Sequence, residues 1–324
     1  MDKTLYLSLI IPVYNEEKNL PFLVEKLNQV LPSLDKTFEV IFIDDGSDDN
    51  GFDILKSLLA DPALVKTSKD NWRIIKLRKN FGQTAALSAG LDEAKGEIII
   101  MMDSDLENDP ADIPLLLSKI DEGYDIVSGW RKNRWSDKPL SRKLTSRLAN
   151  WLMAKISKVK LHDFGCSLKA YRQEVLKDVK LYGEMHRFLA ILASWQGAKI
   201  TEVEVNFNPR QFGRSKYGLE RIMKVLLDLI VIKFLSGYFT KPIYFFGRLG
   251  IFSIILSFLT FLLSIYYKFF GGKTFIETPL PVLTALFFIV GIILILIGLL
   301  AEMVMRVYHE SRDRKIYVIK EKYN

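Results

Sequence analysis

Residues 96–106 read G-E-I-I-I-M-M-D-S-D-L, an apolar run that stops at two aspartates one residue apart, Asp103 and Asp105. An uninterrupted apolar run of this length predicts a central parallel strand covered on both faces. Ligands of open α/β sheets sit beyond the carboxyl ends of strands, so both carboxylates are expected in a crevice rather than a core. Paired carboxylates on a tight turn suit a hard divalent cation that also holds a diphosphate. D-x-D alone is equally well read as a charged turn, and the rest of the chain has to separate the two.

Three other apolar runs end in the same manner. Pro12-Val13-Tyr14-Asn15-Glu16 closes the first, Asp44-Asp45-Gly46-Ser47 the second, and Asn80-Phe81-Gly82 the third. Each is a commonplace turn, but at successive ends of one parallel sheet they converge on a single crevice. Carboxylates there can accept hydrogen bonds from a nucleobase and a ribose while the D-x-D turn holds the metal.

The elements that must position these turns follow from periodicity. Strands are expected over 5–13, 38–43, 72–77, 97–102 and 125–128, with helices over 18–31, 49–59 and 83–94. That β-α-β-α order predicts an α/β fold: a mostly parallel sheet with helices on both faces. Past Phe239 the composition changes. Residues 249–267 and 278–301 carry no charge, and each is long enough to span hydrocarbon. Joined by a short loop they form a transmembrane hairpin. Lys233, Lys241 and Arg248 before it, and Arg306, Arg312, Arg314, Lys315, Lys320 and Lys322 after it, place both ends in the cytoplasm. Residues 219–238 are amphipathic and basic, as in a helix lying in the headgroup plane.

The net charge of +7 and pI near 9.2 fit nucleic acid, anionic lipid or phosphorylated substrates. No arginine-rich arm, zinc-finger spacing or helix-turn-helix signal is present, so a nucleic-acid partner is not expected. Cys166 is the single cysteine, which excludes an intrachain disulfide and suits a small buried apolar position. His162, His186 and His309 lie too far apart in sequence for a metal-ligand pattern. Gly271-Gly272-Lys273-Thr274 mimics the end of a phosphate loop but lacks the earlier glycine. No signal peptide precedes Leu5, so the main domain is expected in the cytoplasm.

Taken together, P-V-Y-N-E, D-D-G-S, N-F-G, D-S-D-L-E-N-D-P and D-F-G-C-S-L-K-A-Y-R resemble glycosyltransferases of family 2 with the GT-A (Rossmann-like) fold. R-Q-F-G-R-S-K-Y at 210–217 and the two-span tail narrow the resemblance to the polyprenyl-phosphate branch. That branch is similar to dolichol-phosphate mannose synthase and bacterial undecaprenyl-phosphate sugar transferases. The resemblance implies inverting transfer of one sugar from a nucleoside-diphosphate sugar, such as UDP-glucose or GDP-mannose, to polyprenyl (undecaprenyl or dolichyl) phosphate at the cytoplasmic face of a bacterial or archaeal membrane. By position, Pro12, Tyr14 and Glu16 would bind the nucleotide-sugar with Asp44, Asp45 and Asp103. Asp105 and Glu107 would ligate Mg2+ or Mn2+; many relatives have glutamine where this chain has Glu107, and either side chain offers oxygen. Arg131, Arg134, Arg210, Arg214, Ser215 and Lys216 would face the acceptor and its phosphate.

Asp163 falls where relatives carry the aspartate near the reacting carbon, and with Asp105 completes the expected catalytic pair. A phosphate monoester is already anionic near neutral pH, since its second pKa is about 6. Asp163 then either accepts a proton or only orients the acceptor. A lipid hydroxyl acceptor would require the base, and a catalytically inactive nucleotide-sugar-binding adaptor would require neither. The expected domain plan is 1–215 for the GT-A domain, 216–240 for the interfacial helix, 241–308 for the hairpin and 309–324 for a basic cytoplasmic tail. The lipid bilayer is the expected partner, with a homo-oligomer left open.

Overall fold

The computed structural model describes residues 5–61, 71–134, 150–177, 179, 185–209, 242–310 and 315–323. The chain divides into two compact units: Met1–Leu229 together with Lys315–Asn324, and Ile230–Arg314.

The first unit is built on one sheet. Its strands are β1 (Leu7–Val13), β2 (Phe38–Asp44), β3 (Trp72–Leu77), β4 (Ile98–Met101), β5 (Ile126–Trp130), β6 (Lys169–Arg172), β7 (Ile200–Glu204) and β8 (Ile319–Tyr323). The spatial order is β7-β5-β6-β4-β1-β2-β3-β8. β1 pairs in parallel with β2 and β4, β2 with β3, and β5 with β7, whereas β6 and β8 run antiparallel to their neighbours. The fold class read from the sequence is therefore the one observed. Its helices are α1 (Leu20–Val30), α2 (Gly51–Ala60), α3 (Gln83–Glu93), α4 (Ile113–Asp121) and α5 (Leu189–Trp195). Two separate apolar clusters, one on each side of the sheet, account for the unbroken hydrophobic runs. Leu9, Ile11, Val40 and Phe42 face α1 and α2, while Ile10, Ile41, Ile43 and Ile99 face α3 and α5.

Strand order reverses beside β1, because β2 lies on one side of it and β4 on the other. The loops leaving β1 and β4 diverge there, and a crevice opens at the carboxyl edge. At the opposite edge a buried polar knot fixes the register. Ser8 Oγ donates to Glu39 Oε1 (2.6 Å), Lys95 N–H donates to the same oxygen (2.7 Å), and Arg73 pairs with Glu39. A glutamate in a central strand is tolerable only with such partners.

The second unit holds α6 (Ile243–Phe269) and α7 (Leu280–Glu310), among the described residues the two helices long and apolar enough to cross a membrane. They pack through small residues. A Cβ on Gly250 would lie 2.8 Å from Gly291 O, so the backbones meet where neither helix has a side chain. Ser253 Oγ donates to Phe287 O (2.7 Å), and Ser257 Oγ to Thr284 O (2.8 Å). Outward-facing residues such as Phe258 and Leu300 are largely exposed, as expected for surfaces meeting hydrocarbon. The amphipathic segment at 219–238 lies outside the described residues.

β8 was not expected from the sequence, which reads there as a basic tail. It pairs antiparallel with β3, and Tyr317 just before it is buried, its hydroxyl donating to Asp92 Oδ2 (2.6 Å). Lys322 pairs with Glu93 at 2.7 Å.

Candidate active site

A cleft of about 220 Å3 opens at the carboxyl edge beside β1. Pro12, Tyr14, Glu16, Asp45, Asn80, Gly82, Gln83, Asp103, Ser104 and Asp105 line it. Six residues assigned from the sequence thus meet in one place: Pro12, Tyr14, Glu16, Asp45, Asp103 and Asp105.

Local chemistry explains how each loop is held. The turns after β1 and β2 are laced together: Asn15 N–H donates to Ser47 Oγ (3.0 Å), and Asp48 N–H to Asn15 Oδ1 (2.9 Å). Gly46 has φ +69°, and a Cβ on it would come within 2.4 Å of Lys79 C, so only glycine fits. Asp45 accepts from Phe81 N–H (2.8 Å) and Gly82 N–H (2.9 Å) at the start of α3. Burial, opposed by those two donors and helped by neighbouring Asp44, holds the Asp45 pKa above its ordinary value. Asp44 is fully buried beneath the cleft rather than on its wall. Its Oδ1 accepts from Ser47 N–H (2.9 Å), and its Oδ2 lies 3.5 Å from Lys76 Nζ.

The D-x-D turn is anchored from two sides. Ser104 Oγ donates to Pro12 O (3.0 Å), tying it to β1. Leu106 is buried with φ +62°, a conformation rare for a branched side chain, and Asp105 Oδ1 accepts from Glu107 N–H (3.0 Å). Gln83 Nε2 donates to Asp103 Oδ1 (2.7 Å). Burial first, then the adjacent Asp105 charge, pushes Asp103 up to about 6.

The segment 163–169 packs against the chain that follows the D-x-D turn. Asn108 Nδ2 donates to Ser167 Oγ (2.8 Å), and Cys166 Sγ–H points at Asn108 Oδ1 (3.4 Å). The Cys166 thiol is buried, which pushes it up to about 11 and leaves it unreactive at neutral pH. Asp163 is buried too, and it grips Arg131: Nε donates to its Oδ2 (2.8 Å) and Nη2 to its Oδ1 (3.3 Å). Arg131 also donates to Gly165 O (2.5 Å) and reaches Glu107 Oε2 at 3.5 Å. Burial disfavours the Asp163 carboxylate, yet the guanidinium of Arg131, with help from Arg134 and Lys169, holds its pKa below the usual range. Arg131, expected at a phosphate, is an internal bridge between Asp163 and Glu107. Arg134 follows it, its N–H on Arg131 O at 3.2 Å. Arg210, Arg214, Ser215 and Lys216 lie outside the described residues. The chain leading to them is docked on the D-x-D region: Asn208 N–H donates to Glu107 O (3.0 Å), and Asn206 N–H to Asp112 Oδ2 (2.7 Å).

Gln83, Asn108, Ser167 and Lys169 were not singled out from the sequence. Asn108 and the 163–169 motif were in view, but their meeting depends on β6 folding back against β4, which no local pattern reveals.

Among the described residues no three Asp, Glu, His or Cys side chains gather closely enough to cage an ion. Asp105 and Glu107 on one turn nonetheless fit a cation that keeps few protein ligands and takes the rest from a diphosphate. Asp103 feels Asp105 and Glu107 as like charges, which a cation held on this turn would offset.

The strand order, with one reversed strand beside β4 and acidic turns at the carboxyl edge, is that of the GT-A fold class. The match to known proteins is specific: the pattern for "Glycosyl transferase family 2" fits residues 8–180. The chain belongs to that family. It is 38% identical over 322 residues to the dodecaprenyl-phosphate galacturonate synthase of Rhizobium johnstonii, covering 98% of this chain and 93% of that protein. It is 33% identical over 320 residues to the undecaprenyl-phosphate 4-deoxy-4-formamido-L-arabinose transferase of Shewanella sediminis, covering 98% and 92%. Among solved structures, glucosyl-3-phosphoglycerate synthase of Mycobacterium tuberculosis with Mn2+ and UDP-glucose aligns with TM-score 0.51 and 18% identity. That alignment covers 71% of this chain and 78% of the other, and supports the shared fold.

Proposed function

We propose that this protein transfers one sugar from a nucleoside-diphosphate sugar to polyprenyl phosphate at the cytoplasmic face of a membrane. A phosphate oxygen of the lipid attacks the anomeric carbon from the face opposite the leaving group. A new C–O–P linkage forms, the bond to the nucleoside diphosphate breaks, and the configuration inverts.

The Asp163–Arg131 pair carries this reading. A hydroxyl acceptor needs a carboxylate free to take its proton. Asp163 is instead buried as a counter-ion with its proton affinity lowered. An acceptor that arrives as an anion needs no such base. The relatives named above, similar over nearly the whole chain including both hairpin helices, have lipid phosphates as acceptors in their names. Both chain segments flanking the hairpin belong to the catalytic unit, which agrees with two crossings that return the chain to one side.

Each residue has a role in this scheme. Pro12, Tyr14, Glu16 and Asp45 hold the nucleoside, and Asp103 is braced by Gln83 toward the donor. Asp105 and Glu107 would hold Mg2+ or Mn2+, which when bound offsets charge growing on the departing diphosphate. Asp163 fixes Arg131, and Arg131 steadies Glu107. The basic residues Arg210, Arg214 and Lys216 meet the lipid's phosphate.

The test is a panel of radiolabelled nucleotide sugars offered with polyprenyl phosphate, or with the parent polyprenol, to detergent-purified protein. Chloroform-soluble label with the phosphate and none with the alcohol is expected. Label on the alcohol alone would refute the acceptor assignment, and donor hydrolysis without lipid product would refute the lipid transfer.

A further inference from the structure

Lys169 opens β6 at the carboxyl end of its antiparallel partner β4, in register with Met101 and Ser128. This is the edge where the cleft lies. Its side chain is almost wholly buried. An ammonium carries three N–H donors. Among the described residues Lys169 Nζ donates once, to Phe164 O at 3.1 Å, and no carboxylate stands within ion-pair distance. Asp103, Asp163 and Arg131 surround it at longer range. A buried cation in that condition is costly to the folded protein, and burial correspondingly draws its pKa down. An internal counter-ion would sit against its carboxylate, as Arg131 does against Asp163. Lys169 does not, and among the carboxylates whose charge it feels is Asp103, which lines the cleft.

We infer that Lys169 binds an anionic oxygen of the bound donor, either on its diphosphate or on a carboxylate of the sugar itself. This rests on the donor reading given above. A uronate is a real alternative to the diphosphate, because it brings a second anion into a pocket already lined with carboxylates and needs a cation there. The two remaining N–H donors of Lys169 are met only when the donor arrives, so the apo protein carries that cost and the complex recovers it.

The experiment measures binding of UDP, UDP-galactose and UDP-galacturonate, each with Mn2+, to full-length protein in detergent by calorimetry. Wild type is compared with Lys169→Met and Lys169→Arg, with the melting temperature of each apo protein recorded alongside. Losing a charge-assisted hydrogen bond is expected to weaken binding at least about tenfold in Lys169→Met, with partial rescue in Lys169→Arg. Apo Lys169→Met is expected to melt no lower than wild type, because a buried charge has been removed. Equal weakening for all three ligands assigns the diphosphate as the target. Weakening confined to UDP-galacturonate assigns the sugar carboxylate. Unchanged affinity for all three overturns the inference. So does a melting temperature that falls together with binding, which marks an internal counter-charge. Wild type binding none of the three excludes a uridine diphosphate donor and overturns this inference for it, whatever the variants do.

Discussion

Replacing Asp163 with asparagine keeps the shape of the side chain and removes its charge. The pair it breaks is short and dry: 2.8 Å from Arg131 Nε to Oδ2, with the two side chains 3% and 11% exposed. At an effective dielectric of about 20 the attraction is roughly 4 kcal/mol for charges about 4 Å apart. Both ions were desolvated to form the pair, so its net worth is smaller, but removing one partner strands the other. A stranded buried guanidinium costs about 3–5 kcal/mol, with Glu107 at 3.5 Å softening the loss toward the lower figure. At about 2–4 °C per kcal/mol for a unit of this size, Asp163→Asn should lower the catalytic unit's melting temperature by about 6–12 °C. Arg131→Met should do likewise, and the double variant should lie much closer to wild type than the sum of the two. The pH dependence has a definite sign. Because the folded pKa lies below the unfolded value of about 3.9, the pair's contribution is whole above about pH 5 and fades as pH falls through the folded value. The assay is a thermal melt in detergent at pH 7, with sugar transfer measured on the same samples. A variant that melts within about 2 °C of wild type yet has lost transfer would identify Asp163 as a proton acceptor and refute the counter-ion assignment.

Asp105→Asn should reduce transfer by at least about a thousandfold without changing the melting temperature, since Asp105 is placed to hold the cation rather than the core; near-normal turnover in the lipid-product assay would end that assignment. Removing 315–324 takes away β8 and the buried Tyr317, exposes the β3 edge, and should cost at least about 2 kcal/mol, read as a lower melting temperature and faster proteolysis. Gly46→Ala places a methyl group 2.4 Å from Lys79 C in a left-handed backbone and should destabilise the nucleoside loops by more than about 1 kcal/mol, visible as weaker nucleotide binding; an unaltered affinity would show that the turn can move.

The first four strands were legible because each is a mostly apolar run that ends in a polar turn. The strand over 72–77 was located to the residue, and the helix starting at Gln83 was found at its observed first residue. β6, β7 and β8 escaped because they begin with lysine or carry charges along an edge, as in I-T-E-V-E and I-K-E-K-Y. For those segments position in the sheet, not local preference, decides the conformation. The cleft residues were legible as a set because strand ends of a parallel sheet must share one edge. The part played by Arg131 was not, because its partner lies 32 residues on and meets it only after β5 and β6 have paired. Asp44 shows the same limit from the other side. Adjacent to Asp45 in sequence, it alternates to the opposite direction at the strand's end and is buried below the pocket.

β8 has a consequence for how the protein is made. The sheet is completed by a strand that leaves the ribosome only after both apolar helices have done so. Until then β3 is a bare, hydrogen-bond-hungry border. Closure of the sheet therefore waits on synthesis of the helices, and a chain that stalls within them is poorly placed to finish this unit.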